Sequence, residues 1–120
     1  MDYKNIAYLF VNKFKEYNTT LQEHIEYNGE ILNHVFFGEC SEQFIILIEE
    51  ETNVEGIQEL FEFFEKMASC GDQDVQDLLQ VTVLESFWDE NKILTRAEKL
   101  MGPQTKLINN NISDYLGRPS

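Results

Sequence analysis

The chain has 120 residues, 42% hydrophobic and 26% charged, with a net charge of −13 and two cysteines. That length fits one domain with its own core, and the composition excludes a disordered chain and a disulfide framework. Charge of this sign repels nucleic acid and anionic lipid and attracts cationic partners.

The first helix is expected over residues 3–17, with Ile6, Ala7, Leu9, Phe10, Val11 and Phe14 on its apolar side. Thr20 and Glu23 have the spacing of a capping box, in which side chains satisfy the free amides of a helix start. They open a short helix ending at Asn28-Gly29. Residues 31–48 are ambiguous. Ile31 to Phe37 and Phe44 to Ile48 are β-branched and aromatic around a glycine-containing connector, which is a hairpin signal. The helical reading has Gly38 closing one helix and Ser41 capping another that runs into Glu49-Glu50-Glu51. Helix is preferred, because the neighbouring segments are helical and an isolated two-stranded hairpin is marginal.

Residues 54–69 are the clearest helix: Ile57, Leu60, Phe61, Phe64, Met67 and Ala68 recur at helical spacing. Thr52 and Glu55 form a second capping box, Gly56 is a small cost in the first turn, and Glu62 can pair with Lys66 one turn on. Gly71 ends this helix. Asp72 caps the next, over 73–88, whose stretch from Val81 to Trp88 is apolar on nearly all sides and so belongs at the centre. Residues 91–101 are amphipathic through Ile93, Leu94, Ala97, Leu100 and Met101. Gly102 stops that helix and Pro103 opens the last, with Leu107, Ile108, Ile112, Tyr115 and Leu116 as its buried stripe before Gly117. The expectation is one all-α domain over residues 1–120, of about six or seven antiparallel, repeat-like helices. An α+β fold with a hairpin in 31–48 is the alternative.

Cys40 and Cys70 read as free thiols, the N-terminal stretch lacks signal-peptide features, and the apolar run from Phe44 to Ile48 is too short to span a bilayer. A cytoplasmic protein is expected.

Charge is also sorted along the chain. Residues 21–90 hold eighteen acidic residues against one base, Lys66, whereas 91–120 hold Lys92, Arg96, Lys99, Lys106 and Arg118 against Glu98 and Asp114. Glu49, Glu50, Glu51, Glu55, Glu59 and Glu62 gather around one helix start and its outer stripe. They are the candidate partner-binding residues. A solvated face that keeps the protein soluble is the plainer explanation, and first-turn glutamates also stabilise a helix. Glu85 lies within an apolar run. If buried it needs a donor, with His34, Arg96 or a backbone amide as candidates, so His34 and Glu85 form a possible buried polar site. Trp88 reads as core or as an interface anchor, with core favoured.

Catalytic signatures are missing. No HExxH, CxxC or calcium-loop spacing gathers His24, His34, Cys40, Cys70 and the carboxylates into a metal site. Ser41, Ser69, Ser86, Cys40 and Cys70 have no nucleophile elbow or implied histidine partner. No cofactor or metal is expected.

Four stretches carry a resemblance: 34–39 (HVFFGE), 60–65 (LFEFFE), 71–85 (GDQDVQDLLQVTVLE) and 101–105 (MGPQT). They are similar to an uncharacterised family of small acidic helical bacterial proteins, which resemble the immunity proteins of polymorphic toxin systems. The resemblance covers residues 21–110 and rests on packing and turn signatures. It implies an all-helical, repeat-like stack and a toxin-neutralising role, with no catalytic residues to carry over.

The expected function is therefore an acidic protein-binding module, an immunity protein that neutralises a basic toxin by stoichiometric binding. The expected partner is a basic protein, with no nucleic acid and no membrane. One alternative is a homodimeric adaptor joined through Phe36, Phe37 and Phe63. The other is an enzyme on a small cationic substrate, in which Glu85 and His34 converge in a pocket.

Overall fold

Seven α-helices account for most of residues 1–116, the part of the chain that the computed structural model describes. They are α1 (Ile6–Lys13), α2 (Asn18–Asn28), α3 (Asn33–Glu50), α4 (Val54–Cys70), α5 (Gln73–Leu78), α6 (Asn91–Leu100) and α7 (Pro103–Leu116). The described residues contain no strand, so the fold is all-α. Gly117 and Arg118 lie outside the described residues.

The helix expected over 3–17 breaks at Phe14. A 3₁₀ turn, Lys15–Tyr17, leads from there directly into α2. The break allows both α1 and α2 to pack on α3, which overrides the local periodicity. Because the chain enters α2 already helical at Asn18, no extended residue precedes it to act as a cap. The Thr20–Glu23 capping box does not form; Thr20 sits inside the helix, where its hydroxyl accepts from Gln43. Gly29 closes α2 in the left-handed conformation, with φ of 76°.

Residues 31–48 are not a hairpin, and neither Gly38 nor Ser41 divides them. From Asn33 on they belong to one 18-residue helix, α3, with Leu32 as its extended cap. Phe36, Phe37, Cys40, Phe44 and Ile48 fall at helical spacing and are all buried. Ser41 is tolerated in mid-helix because its hydroxyl donates to the Phe37 carbonyl at 2.7 Å. The Phe10 ring is the hub of the core, 5.1–6.5 Å from the rings of Phe14, Tyr17, Phe36, Phe37, Phe44 and Phe63. Contacts of this kind add to the burial of large apolar area. They also enclose Phe36, Phe37 and Phe63 in the interior, so an adaptor cannot dimerise through those rings.

Helix α4 buries every residue expected of it, and Phe63 as well. Its cap lies one residue later than Thr52: the Asn53 side chain accepts from the Gly56 amide at 3.0 Å. A Cβ at Gly56 would come within 2.4 Å of that side chain, so the glycine leaves room for the cap.

The segment from Gln73 to Trp88 is continuous and central, touching α3, α4, α6 and α7. Asp72 caps it as expected, accepting from Val75 at 2.9 Å. It is not one α-helix. After α5 it widens into a π-helical stretch, Leu79–Leu84, and then tightens into a 3₁₀ stretch, Glu85–Asp89. The buried pairs Leu78-Leu79 and Val83-Leu84 recur five residues apart, the spacing of i→i+5 bonding rather than of an α-turn. The segment is not buried all round either, since Val81 is exposed and Glu85 half-buried.

Helix α7 is turned relative to its expected stripe. Ile112 is buried and Ile108 and Leu116 pack on the core as expected, but Leu107 and Tyr115 are exposed, and Thr105 and Asn109 face inward instead. Two buried polar contacts set this orientation. Thr105 bonds to Glu65 on α4, and Asn109 Oδ1 accepts from the indole N–H of Trp88 at 2.9 Å. Trp88 is thus a core residue.

Candidate functional site

All six candidate glutamates are exposed, at the end of α3 and along α4. Glu55 lies in the first turn of α4, with Glu59 and Glu62 along its outer side. Glu49 and Glu50 do not flank a helix start, however. They end α3, and Glu51 is its C-terminal cap in the left-handed region, with φ of 54°. The end of a helix carries partial negative charge, so carboxylates there add to it unfavourably.

Arg96 on α6 answers that charge. Its Nη1 donates to the Glu49 carbonyl at 2.7 Å and to the Ile48 carbonyl at 3.4 Å, and its Nε lies 3.4 Å from Glu51 Oε1. The guanidinium closes the helix end and neutralises Glu51. The i,i+4 pair of Glu62 and Lys66 does not form; among the described residues, the ion pair between fully charged side chains is Arg96–Glu51, while His24 and Glu39 share a hydrogen bond. Glu49, Glu50, Glu55, Glu59 and Glu62 have side chains with no hydrogen-bond or ion-pair partner among the described residues.

Two grooves flank the first half of α4. One, of about 380 Å³, lies against the end of α1 and α3 and includes Glu59. The other, of about 410 Å³, lies against α6 and includes Glu51, Arg96 and Lys99 over Ile57 and Leu100. The α4 ridge is therefore acidic along its crest and apolar at its feet.

His34 and Glu85 do not form a buried site. His34 is exposed and its Nδ1 lies 2.6 Å from the Thr82 hydroxyl, while Glu85 accepts from the Tyr115 hydroxyl at 2.8 Å. Both partners come from α7 or the π-helical stretch, where local spacing does not place them. The buried histidine is His24. Its Nε2 accepts from the Leu32 amide at 2.9 Å and its Nδ1 lies 2.9 Å from Glu39 Oε1. With both ring nitrogens engaged inside the fold, His24 joins α2 to α3.

Glu65 is a second residue that sequence reasoning missed. It accepts from the Gln104 and Thr105 amides and from the Thr105 hydroxyl. Partial burial opposes its charge, yet these three bonds outweigh burial and hold the carboxyl below its ordinary range. A negative clue was present: α7 starts at Gly102-Pro103 without Ser, Thr, Asp or Asn at its cap, so its acceptor has to come from elsewhere.

The candidate nucleophiles are engaged within the fold or are free thiols. The hydroxyls of Ser41, Ser69 and Ser86 each donate to a backbone carbonyl three or four residues earlier. Cys40 and Cys70 are free thiols. Burial, reinforced by Glu39, pushes the Cys40 thiol far above its ordinary value, which removes thiolate character. Among the described residues, no three His, Cys, Asp or Glu side chains converge as metal ligands, and no helix is long and apolar enough to cross a membrane.

Comparison with curated proteins and with solved structures gives no match. Residues 7–117 match DUF7674, a domain of unknown function, and the chain belongs to that family.

Proposed function

We propose that this protein is a binding module that captures a basic protein partner through the α4 ridge, as an immunity protein neutralises a basic toxin by stoichiometric binding. One observation carries the reading: five of the six candidate glutamates, at the end of α3 and along α4, stand exposed without an internal partner, while the sixth is already neutralised by Arg96. Self-repulsion among such charges costs stability, and an arriving cationic surface relieves it. Steering by the same field speeds capture, and does so less at high salt. A cytoplasmic setting belongs to this proposal, in keeping with an exposed free thiol at Cys70.

The test is a pull-down from the source organism's lysate at low and high salt, read by mass spectrometry. The comparison protein carries Glu55→Lys, Glu59→Lys and Glu62→Lys. A single basic protein held at low salt by the native chain, weakened by salt and lost with the variant, is the expected result. Equal retention by the variant, or no specific protein at either salt, would reduce the acidity to a solubility device.

A further inference from the structure

We infer that the groove between α1, α3 and α4 receives a basic amphipathic helix of the partner, with an apolar anchor in the groove and Lys or Arg on its rim. This rests on the reading of the chain as a binder of a basic protein, and adds which surface feature of that partner is recognised.

The groove has an apolar floor and one unusual wall. Phe14 and Leu60 close the floor, and Ile46 on α3 lines the wall while 52% exposed. A large aliphatic side chain half in water at the edge of an apolar groove gains by being covered. Gly56 forms part of the opposite wall on α4, with the Asn53 side chain packed against it.

Charge selects the occupant. Glu59 borders the groove, and Glu55 lies one turn before it on α4. On α3, Glu42 and Glu50 stand one turn on either side of Ile46, and both are exposed. Residues four apart share a helix face, so four carboxylates frame the apolar slot from two helices. Glu16 adds a fifth, and Lys13 is the base among the lining residues. An apolar slot with an acidic frame complements a helix that carries apolar anchors at i, i+3, i+4 and i+7 and bases on either side. The volume of about 380 Å³ suits side-chain anchors rather than a broad flat surface.

Two synthetic peptides test this. One is a Leu/Lys helix with leucines at those positions; the other keeps every lysine and replaces each leucine by glutamine. Binding is measured by fluorescence anisotropy, and the site by amide shift mapping, on the native protein and on Ile46→Asn. That substitution removes the apolar wall without changing charge, at a position exposed enough to leave the fold intact. The Leu/Lys peptide should bind the native protein about tenfold tighter than its glutamine counterpart, as burial of one leucine allows. It should shift the amides of Ile46, Leu47, Gly56 and Leu60, and Ile46→Asn should abolish its advantage while leaving the weak, salt-sensitive binding of the glutamine peptide. Equal binding of the two peptides, or no effect of Ile46→Asn, overturns the groove and leaves the acidic ridge standing. No binding of either peptide at low salt overturns both. A concentration-dependent dimer in sedimentation, reverted by Ile46→Asn, would give the groove to a second copy and also overturn the proposal.

Discussion

Glu65 on α4 acts as the missing cap of α7 through Thr105: its Oε1 accepts both the amide of Thr105, at 2.9 Å, and the hydroxyl, at 2.8 Å. Its Oε2 takes the Gln104 amide at 3.0 Å. One carboxylate thus satisfies two free amides of a helix start and fixes the packing of α4 on α7. Replacing it with alanine should cost about 1–2 kcal/mol, the scale of a lost cap. The dependence on pH has a definite sign. A carboxyl held below its ordinary value of 4.5 in the folded state stabilises the fold above that pH, and the contribution is lost as pH falls through the lower, folded value. Urea midpoints of the native protein and Glu65→Gln should therefore differ at neutral pH and converge in acid. A gap that stays constant with pH would show that the charge is not what Thr105 and Gln104 hold.

Gly102 makes this cap possible. A Cβ at that position would stand 2.5 Å from Glu65 Oε1. Gly102→Ala should displace the carboxylate and destabilise the protein to a similar extent as Glu65→Ala. The two losses share one cause, so the double variant should be little worse than either single one. Denaturation of all four proteins checks this, and simple addition of the two losses would refute it.

The geometry around His24 determines where its proton sits. The Leu32 amide can only donate, so Nε2, at 2.9 Å, must be the acceptor, and the proton is on Nδ1 facing Glu39. Nitrogen-15 spectra of the imidazole at neutral pH should show the Nδ1–H tautomer; an Nε2–H signal would contradict this arrangement. His24→Leu keeps the ring's apolar volume in part but leaves the Leu32 amide without an acceptor. It should cost about 1–3 kcal/mol in chemical denaturation, with the first loss of amide protection at Leu32.

Arg96 is worth more as a helix closure than as a salt bridge. Its pairing with Glu51 is largely solvent-exposed on the glutamate side, and pairs of that kind contribute about 0–1 kcal/mol. Its bonds to the Glu49 and Ile48 carbonyls satisfy groups that α3 cannot satisfy itself. Arg96→Ala should therefore destabilise the protein clearly more than Glu51→Ala in thermal unfolding at the same ionic strength. Equal losses would assign the whole effect to the ion pair.

What could be read from the chain was local. The apolar spacing of Ile57, Leu60, Phe61, Phe64 and Met67, the Asp72 cap and the Gly29 terminator act within a turn or two, and each stands where periodicity puts it. The departures come from distant partners. Asn109 and Thr105 turn α7 inward because Trp88 and Glu65 lie across from them, which no spacing within residues 103–116 records. Leu78-Leu79 and Val83-Leu84 held a legible five-residue recurrence, but a 3.6-residue template reads it as a helix apolar all round. The six candidate glutamates are all exposed. Whether each has an internal counter-charge depended on Arg96, more than forty positions away in sequence from Glu51.

Glu49 and Glu50 separate the two explanations of the acidic surface. Both sit at the C-terminal end of α3, where the helix field disfavours negative charge, and neither side chain has a partner among the described residues. Replacing them with glutamine should stabilise the isolated protein by about 0.3–1 kcal/mol each at low salt, with the gain shrinking as salt rises. If the surface serves capture, the same variant should associate more slowly with its basic partner, so stability and binding move in opposite directions. Denaturation and stopped-flow association at two salt concentrations measure both quantities. Greater stability with an unchanged association rate would leave Glu49 and Glu50 outside the binding surface and confine it to Glu55, Glu59 and Glu62.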